Sequence, residues 1–166
     1  MPKKTSLKSR ILDEKDTKIL MILQKNGRES LTSIAKAVGL SIDSVNARIK
    51  EMQNKGIFQF GIFIDPRKIG FSIVTDIKIK LHNITSNEKE EFIKYLIKHP
   101  RTIDVIAIMG DYDLTCVIIS KDTKELEKIS TKIREKYSKI IADWKPILIM
   151  ETIKFEHYDL EQPFEA

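Results

Sequence analysis

Two short stretches of apolar residues at helical spacing follow one another between Ser30 and Gly56, and they constrain the fold more than any other feature of the sequence. Ser30 and Ser41 are suited to cap the beginnings of two helices, and Gly39 interrupts the pattern between them. The small side chain of Ala35 allows the helices to approach closely where they cross. Two short helices joined by a turn of about three residues form a helix-turn-helix.

Another amphipathic helix is predicted before this pair. Asp13 is suited to be its N-cap, and Gly27 is suited to end it. The three predicted helices together offer one apolar core, and a three-helix bundle without a binding role is the alternative to a DNA-binding helix-turn-helix. The inward positions are Ile19, Leu20, Leu23, Leu31, Ile34, Ala35, Val38, Val45, Ile49 and Met52.

The charge distribution favours DNA over the plain bundle. The chain has 166 residues and a formal net charge of +5. Residues 1–64 contain 12 Lys and Arg against 6 Asp and Glu, whereas residues 65–166 contain 17 against 18. All of the net positive charge therefore lies in the front half, which indicates a polyanionic partner there.

The third predicted helix presents the residues expected to contact DNA. Asn46 is suited to an adenine edge, and Arg48 and Lys50 are suited to guanine or phosphate. The basic N-terminal tail, with Lys3, Lys4, Lys8 and Arg10, either lies along DNA as an arm or is simply solvated. The predicted DNA-binding residues are Thr32, Ser41, Ser44, Asn46, Ala47, Arg48 and Lys50.

A connecting strand is predicted next. Apolar residues alternate from Phe58 to Ile64 and are followed by Asp65 and Pro66, which favour a turn. A lone strand leaves its backbone hydrogen-bonding groups unpaired. We therefore expect this strand to pair with the same segment of another chain or with the rear domain.

The rear half has the pattern strand, helix, strand, strand, helix, strand. This βαββαβ order predicts a ferredoxin-like domain with both helices on one face of the sheet. The predicted strands are residues 73–81, 102–109, 112–119 and 147–155. The predicted helices begin at the caps Ser86 and Asp122. The first of these helices ends before Pro100, and its core-facing residues are Phe92, Ile93, Leu96 and Ile97.

The second predicted strand is apolar on both faces. Ile103, Val105 and Ala107 alternate with Ile106 and Ile108. Because the two helices cover only one face of the sheet, a second copy of the same sheet is the simplest cover for the other face. The sequence therefore predicts a dimer.

Gly110-Asp111-Tyr112-Asp113 separates two strongly apolar runs. This segment is compatible with a metal site, a catalytic dyad, a plain turn or a loop that receives a ligand. No other carboxylate, histidine or cysteine clusters with the two acids in the sequence, so a turn or a ligand loop is favoured and neither catalytic residues, a metal nor another cofactor is expected. The histidines are dispersed, and Cys116 lies in an apolar run typical of a core strand.

Other features bound the class of protein. No apolar run approaches the roughly 20 residues that a membrane span requires. The N-terminus has no apolar stretch after its basic residues, and the single cysteine excludes an internal disulfide. We therefore expect a cytoplasmic protein without a membrane partner. Abundant Ile, Lys and Glu beside few Gly and Gln are typical of a thermophile.

Three motifs carry a resemblance to a known family over essentially the whole chain. They are "LDEKDTKILMILQKNGRESLTSIAKAVGLSIDSVNARIKEMQNKGIF", "IDPRKIGF" and "GDYDL". In this order and spacing they resemble the Lrp/AsnC family, the leucine-responsive or feast/famine regulators. The resemblance implies an α+β chain with a basic tail (1–12), a three-helix helix-turn-helix domain (13–56), a hinge strand and linker (57–71) and a ferredoxin-like βαββαβ domain for ligand sensing and dimerisation (72–166).

The resemblance also implies function. It predicts a transcription regulator that binds double-stranded DNA as a dimer, assembles further toward an octamer, and responds to an amino acid or related metabolite. The effector would lie against Met109, Gly110, Asp111, Tyr112 and Asp113. Two alternatives are a sirohaem-decarboxylase-like enzyme on the same architecture, against which the positive charge of the front half argues, and an architectural DNA-binding protein without an effector.

Overall fold

The computed structural model of the protein describes residues 12–160. These residues form two units, each with its own apolar core. The helical unit consists of residues 12–62 together with residues 154–160, and the sheet unit consists of residues 63–153. The basic tail residues Lys3, Lys4, Lys8 and Arg10, for which a DNA-binding arm and a solvated tail were both open, lie outside the described part of the chain.

The helical unit contains the three predicted helices. They are α1 (Glu14–Lys25), α2 (Leu31–Val38) and α3 (Ile42–Asn54). Asp13, Ser30 and Ser41 are their N-caps, each accepting a hydrogen bond from a backbone N–H of the first turn, as predicted. Each capping side chain bonds to a backbone N–H only three residues later in the chain, so the start of each helix can be predicted from the local sequence.

The turn between α2 and α3 depends on Gly39. Its backbone lies in the left-handed region, at φ +67° and ψ +46°, where glycine has no steric penalty. The Lys15 ammonium donates to the Val38 carbonyl oxygen at the end of α2. Ile34 and Val45 are completely buried on either side of this turn, and the predicted helix-turn-helix is confirmed.

Residues 154–160 pack with the helical unit, whereas the sequence assigned everything from residue 72 onward to the rear domain. The Gln24 side-chain amide donates to the Tyr158 carbonyl oxygen at 2.8 Å, and the Tyr158 N–H donates to the Gln24 Oε1 at 2.8 Å. Leu160 packs against the helical core. The Gln24 side-chain amide thus forms the same pair of hydrogen bonds with the Tyr158 backbone that the backbone of a neighbouring β-strand would form.

The sheet unit has the predicted βαββαβ order. The elements are β1 (Ile73–Leu81), α4 (Ser86–Lys98), β2 (Thr102–Ala107), β3 (Leu114–Ser120), α5 (Thr123–Lys136) and β4 (Ile141–Leu148). A short 3-10 helix, Pro66–Ile69, precedes the first strand. The antiparallel strands lie in the order β2-β3-β1-β4, which confirms the ferredoxin-like fold.

One face of the sheet forms a continuous core with α4 and α5. Ile77 and Cys116 lie opposite each other on β1 and β3, and both are completely buried. Phe92 and Leu96 of α4 and Ile133 of α5 pack against them and are also completely buried. Burial raises the pKa of the Cys116 thiol to about 11, so this thiol is a core group, as predicted.

The predicted last strand, residues 147–155, is wrong in position. The strand is β4, Ile141–Leu148, and Pro146 lies within it opposite Ile77. A proline lacks the N–H that a central strand needs, so the sequence pattern discouraged a strand through this residue. Because β4 is at the edge of the sheet, it tolerates Pro146 on its unpaired side.

Two details of α4 also differ from the prediction. Thr85, rather than Ser86, is the N-cap, because its hydroxyl and the Glu88 carboxylate form a reciprocal capping box. Ile97 was predicted to face the core but is 63% exposed, since the covered face of the helix is narrower than the apolar pattern suggests.

Strand β2 is shorter than predicted and irregular. The register with β3 shifts between Thr102 and Asp104, so that Ile103 is the extra residue of a bulge and is 49% exposed. Ile106 is 52% exposed on the face opposite the helices. Ile108, predicted to lie within the strand, follows its end and is half-buried.

The predicted connecting strand is not formed within the described chain. Residues 57–65 contain no strand, and their backbones make no ladder with β1–β4. Ile62, Phe63 and Ile64 are exposed. A strand forms only where its backbone groups pair with those of a neighbouring strand, and within residues 12–160 no such ladder includes residues 57–65.

The burial difference along α4 yields a stability prediction. Phe92→Ala removes a completely buried ring that lies 4.7 Å from the Tyr137 ring, and we expect a loss of about 3–5 kcal/mol in the free energy of unfolding. Ile97→Ala, on the exposed side of the same helix, should cost less than about 1 kcal/mol. Urea unfolding followed by the fluorescence of Trp144, the only tryptophan, measures both values. Similar losses for the two variants would contradict this assignment of the faces.

Candidate DNA-contacting surface and loop site

The exposed surface of α3 contains most of the predicted DNA-contacting residues. Ser44, Ala47 and Lys50 are exposed and Asn46 is half-buried, so these side chains follow one another along the solvent side of the helix. Thr32 is exposed on α2. The Ser41 hydroxyl caps α3 by accepting from the Ser44 N–H at 3.2 Å, and it donates to the Ser44 hydroxyl at 2.8 Å. The structure therefore brings the predicted residues of α3 onto one helix surface.

Arg48 lies beside this surface in an ion-pair network that the sequence did not reveal. Its guanidinium donates to the Asp13 carboxylate at 2.6 Å and to the Asp16 carboxylate at 2.7 Å. Hydrogen bonds to Asp16, and then to Asp13, raise the pKa of the Arg48 guanidinium. The side chain is 31% exposed, and its two bonds hold the middle of α3 against the start of α1.

Lys50 differs from Arg48 in its surroundings. Its side chain is exposed, and the structure records no ion pair for it among the described residues. A free ammonium on a helix surface is available to a phosphate or a base edge without breaking an existing bond. Asp43 in the first turn of the same helix carries the opposite charge near the helix dipole's positive end.

The loop between β2 and β3 has an exposed tip. Met109 is fully exposed, and Gly110 has φ +143°, a conformation that side chains with a Cβ rarely adopt. Apart from Gly110 itself and its two chain neighbours, no residue of the described chain has a heavy atom within 4 Å of the position that a Gly110 Cβ would occupy. The backbone at Gly110 is therefore open to a group that approaches from outside.

Asp113 anchors this loop to the sheet. Its carboxylate accepts from the Leu81 N–H at 2.8 Å and lies 3.4 Å from the Lys80 ammonium, while its own N–H donates to the Ile79 carbonyl oxygen at 3.0 Å. The Leu81 hydrogen bond, followed by the charge of Lys80, lowers the pKa of Asp113 against the opposing effect of desolvation. Asp113 thus fixes the base of the loop.

Tyr112 and Asp111 occupy different environments in the same loop. The Tyr112 hydroxyl donates to the Asp143 carboxylate of β4 at 3.0 Å, and this bond raises the pKa of Tyr112. Asp111 is exposed. The five predicted effector residues therefore split into a fixed base, Tyr112 and Asp113, and an open tip, residues 109–111.

The fixed base has partners that the sequence could not supply. Lys80 and Leu81 end β1, and Asp143 lies on β4, far from the loop along the chain. Strand pairing brings these three positions to one end of the sheet. Only the sheet register, which follows from the fold, would have predicted that neighbourhood.

The acids of the loop do not form a metal-binding cluster. Within residues 12–160, no group of three His, Cys, Asp or Glu side chains is arranged to hold a metal ion.

None of the helices within residues 12–160 is long and apolar enough to cross a membrane.

Asp113 yields a second prediction. Asp113→Ala removes the acceptor of the Leu81 N–H, and we expect the free energy of unfolding at neutral pH to fall by about 1 kcal/mol. Asp111→Ala, at the exposed neighbouring acid, is the matched control and should change it by less than about 0.5 kcal/mol. Trp144 fluorescence in urea gives both values.

The pH dependence of this difference follows from the sign of the shift. The folded-state pKa of Asp113 is below the ordinary value of 3.8. Its carboxylate therefore contributes stability that is present above that ordinary value and is lost as the pH falls through the folded-state pKa. The gap between the wild type and Asp113→Ala should narrow below about pH 4. A gap that is unchanged down to about pH 2 would contradict the anchoring role.

Comparison with known proteins agrees with this architecture. The AsnC-type helix-turn-helix domain matches residues 12–53. The HTH-type transcriptional regulator FL11 of Pyrococcus furiosus is 34% identical over 117 residues, which are 70% of this chain and 76% of that protein. The regulator LrpA of Pyrococcus abyssi is 34% identical over 153 residues, with 87% of this chain and all of that protein covered.

Solved structures share the fold. An AsnC family transcriptional regulator from Agrobacterium tumefaciens superposes with a TM-score of 0.79 at 24% identity, covering 90% of this chain and 98% of that one. A transcriptional regulator from Neisseria meningitidis, solved as a complex with L-methionine, superposes with a TM-score of 0.77 at 22% identity, covering 87% and 93%. The helix-turn-helix, the ferredoxin-like sheet and the identity over most of both chains place this protein in the Lrp/AsnC family of DNA-binding transcription regulators.

Proposed function

We propose that α3 enters the major groove of duplex DNA with Ser44, Asn46, Ala47 and Lys50 toward the bases and phosphates. Thr32 and Ser41 would contact the backbone at the edge of the groove. The observation that carries this proposal is the exposed surface of α3 in a confirmed helix-turn-helix, with Lys50 unpaired among the described residues. The net charge of +6 on residues 1–64 supports it.

Arg48 has a different place in the proposal. Two of its donors already bind Asp13 and Asp16, so we assign it first to holding α3 in position and second to a flanking phosphate contact. An arginine has five N–H donors, which leaves others for DNA while the two ion pairs persist.

Substitutions at the two positions separate these roles. Lys50→Ala should leave stability unchanged, weaken DNA binding and reduce the salt slope of the binding constant by about one. Arg48→Ala should lower the stability of the helical unit by about 1–2 kcal/mol, because it leaves two carboxylates without their partner. Fluorescence anisotropy on duplex DNA at several salt concentrations, combined with thermal unfolding, measures both effects. If Lys50→Ala binds DNA as tightly as the wild type at every salt concentration, Lys50 does not contact DNA.

We propose further that the protein dimerises through the sheet face opposite α4 and α5, called here the open face. Ile106 and Ile147, 52% and 42% exposed, lie on its two edge strands. Residues 57–65, whose alternating apolar residues are typical of a strand, would pair with the same segment of the second copy. Assembly of dimers toward an octamer is part of this proposal.

Ile106→Asp tests the sheet-to-sheet dimer. A charge placed in an apolar contact between subunits costs several kcal/mol unless it is paired, so the variant should sediment as a monomer or unfold. Ile97→Asp, at an exposed isoleucine on the opposite side of the sheet unit, is the control and should sediment as the wild type does. A wild type that is monomeric at micromolar concentration would refute the dimer.

We also propose that residues 109–113 form part of a site for an amino acid or related metabolite. The open backbone at Gly110 and the exposed Asp111 lie on a loop whose base is fixed by Tyr112 and Asp113. The L-methionine complex of the Neisseria meningitidis protein, which has the same fold, supports this class of ligand. A ligand changes DNA binding only by its differential affinity for two states of the protein.

Gly110→Val tests the loop. Its side chain would occupy the open space beside the backbone and would be strained at φ +143°, so ligand binding should be lost while DNA binding without ligand is kept. Gly70→Val, at another open glycine with φ +95°, controls for backbone strain alone. Calorimetry with L-methionine and then the other amino acids is the measurement. If Gly110→Val binds a ligand as tightly as the wild type does, the ligand site lies elsewhere. If no amino acid or related metabolite binds the wild type, the protein is a DNA-architectural protein without an effector.

A further inference from the structure

The open face carries a polar cluster formed by Asp76, Lys78 and Thr115. The Lys78 ammonium lies 2.7 Å from the Asp76 carboxylate and donates to the Thr115 hydroxyl at 3.1 Å. The Thr115 hydroxyl in turn donates to the other oxygen of Asp76. The three side chains therefore form a closed hydrogen-bonded ring with no net charge.

The cluster lies near the middle of the open face. Asp76 and Lys78 are on β1 and Thr115 is on β3, the two central strands, and Lys78 is directly opposite Thr115 in the register. Around it the same face carries apolar Val117 on β3 and apolar Ile106 and Ile147 on the edge strands. It also carries two exposed charged residues, Lys145 opposite Lys78 on β4 and Asp104 opposite Val117 on β2. A packing partner on this face would therefore cover the cluster.

The ring leaves part of its bonding capacity unused. An ammonium has three N–H donors and a carboxylate accepts about four hydrogen bonds, whereas the ring uses two donors of Lys78 and one contact on each oxygen of Asp76. The side chains of Lys78 and Asp76 are still 28% and 23% exposed. The exposed remainder is what a partner would meet.

Covering a charged pair is costly when its remaining groups lose water and gain nothing. A purely apolar partner would impose that cost on Lys78 and Asp76. A partner with the same cluster would instead offer its carboxylate to the spare donor of Lys78 and its ammonium to Asp76. A two-fold interface provides this arrangement, because each contact of one residue with another is repeated in the reverse direction.

We propose that the cluster of Asp76, Lys78 and Thr115 makes the open face selective for a second copy of this chain, with Lys78 of each copy facing Asp76 of the other. The proposal rests on the sheet-to-sheet dimer proposed above and adds to it the choice of partner. Chains of the same fold with apolar or differently placed groups at these positions are excluded by the charges they would leave unpaired. The apolar side chains of Ile106, Val117 and Ile147 drive the association of the two copies, and the cluster determines which partner chain is accepted.

A charge exchange within the cluster tests this. The double variant Asp76→Lys with Lys78→Asp keeps the pair within each chain but reverses it toward a partner. It should form homodimers as the wild type does, and mixed with the wild type it should form few heterodimers. Native mass spectrometry after subunit exchange should show the heterodimer fraction falling from the statistical value of about one half to about a quarter or less, a tenfold change in the exchange constant.

The exchange Glu90→Lys with Lys94→Glu is the matched control. It reverses a 3.3 Å ion pair on the exposed side of α4, with both side chains about two-thirds exposed, and it should mix with the wild type statistically. Equal depletion of this heterodimer would overturn the proposal, because the effect would then not belong to the open face. A heterodimer fraction of the cluster variant at or above one half would also overturn it.

An apolar replacement covers the case in which the exchanged cluster prevents folding. The triple variant Asp76→Leu, Lys78→Met and Thr115→Val should still dimerise, since apolar isosteres commonly replace a buried polar cluster without loss of association. It should be depleted in heterodimers with the wild type, and statistical mixing overturns the proposal. A wild type that is monomeric in the same experiment refutes the sheet-to-sheet dimer itself, whereas stable dimers that mix freely refute only the selectivity.

Discussion

The sheet unit has two faces and helices for only one of them. Antiparallel sheets tolerate one solvated face when that face is polar, but here the open face combines exposed, apolar Ile106 and Ile147 with charged groups such as Asp76 and Lys78. The proposed dimer and its proposed choice of partner both follow from that imbalance. The core under α4 and α5 gives stability, and the uncovered face gives a reason to associate.

The elements that local chemistry determines were predictable from the sequence. Ser30 and Ser41 cap helices through contacts three residues away, and Gly39 is required by the backbone conformation that ends α2. Strand β1 alternates from Thr75 to Leu81, so its buried side was apparent from the sequence alone. In the candidate sites, the same locality indicated that α3 presents Asn46 and Lys50 outward and that residues 109–113 form a loop.

The features that were missed all depend on residues distant in sequence. Nothing near Arg48 indicates that its guanidinium binds Asp13 and Asp16, and no local pattern places Asp113 against the end of β1. Strand β4 was displaced because Pro146 is unfavourable in a central strand and acceptable only at an edge, and edge position is a property of the whole sheet. Local sequence patterns predict the helices and strands, whereas the topology of the fold determines which residues each side chain contacts.

The bond between Gln24 and the backbone of Tyr158 has a consequence for how the protein is made. The sheet unit is an insertion within the helical unit, since the chain leaves the helices after residue 62 and returns to them at residue 154. Domains usually fold in the order in which the ribosome releases them, N-terminal first. Here the helical unit is completed only after residues 63–153 have been translated. A polypeptide that stops before residue 154 would carry α3 in a helical unit that lacks the contacts of Tyr158 and Leu160.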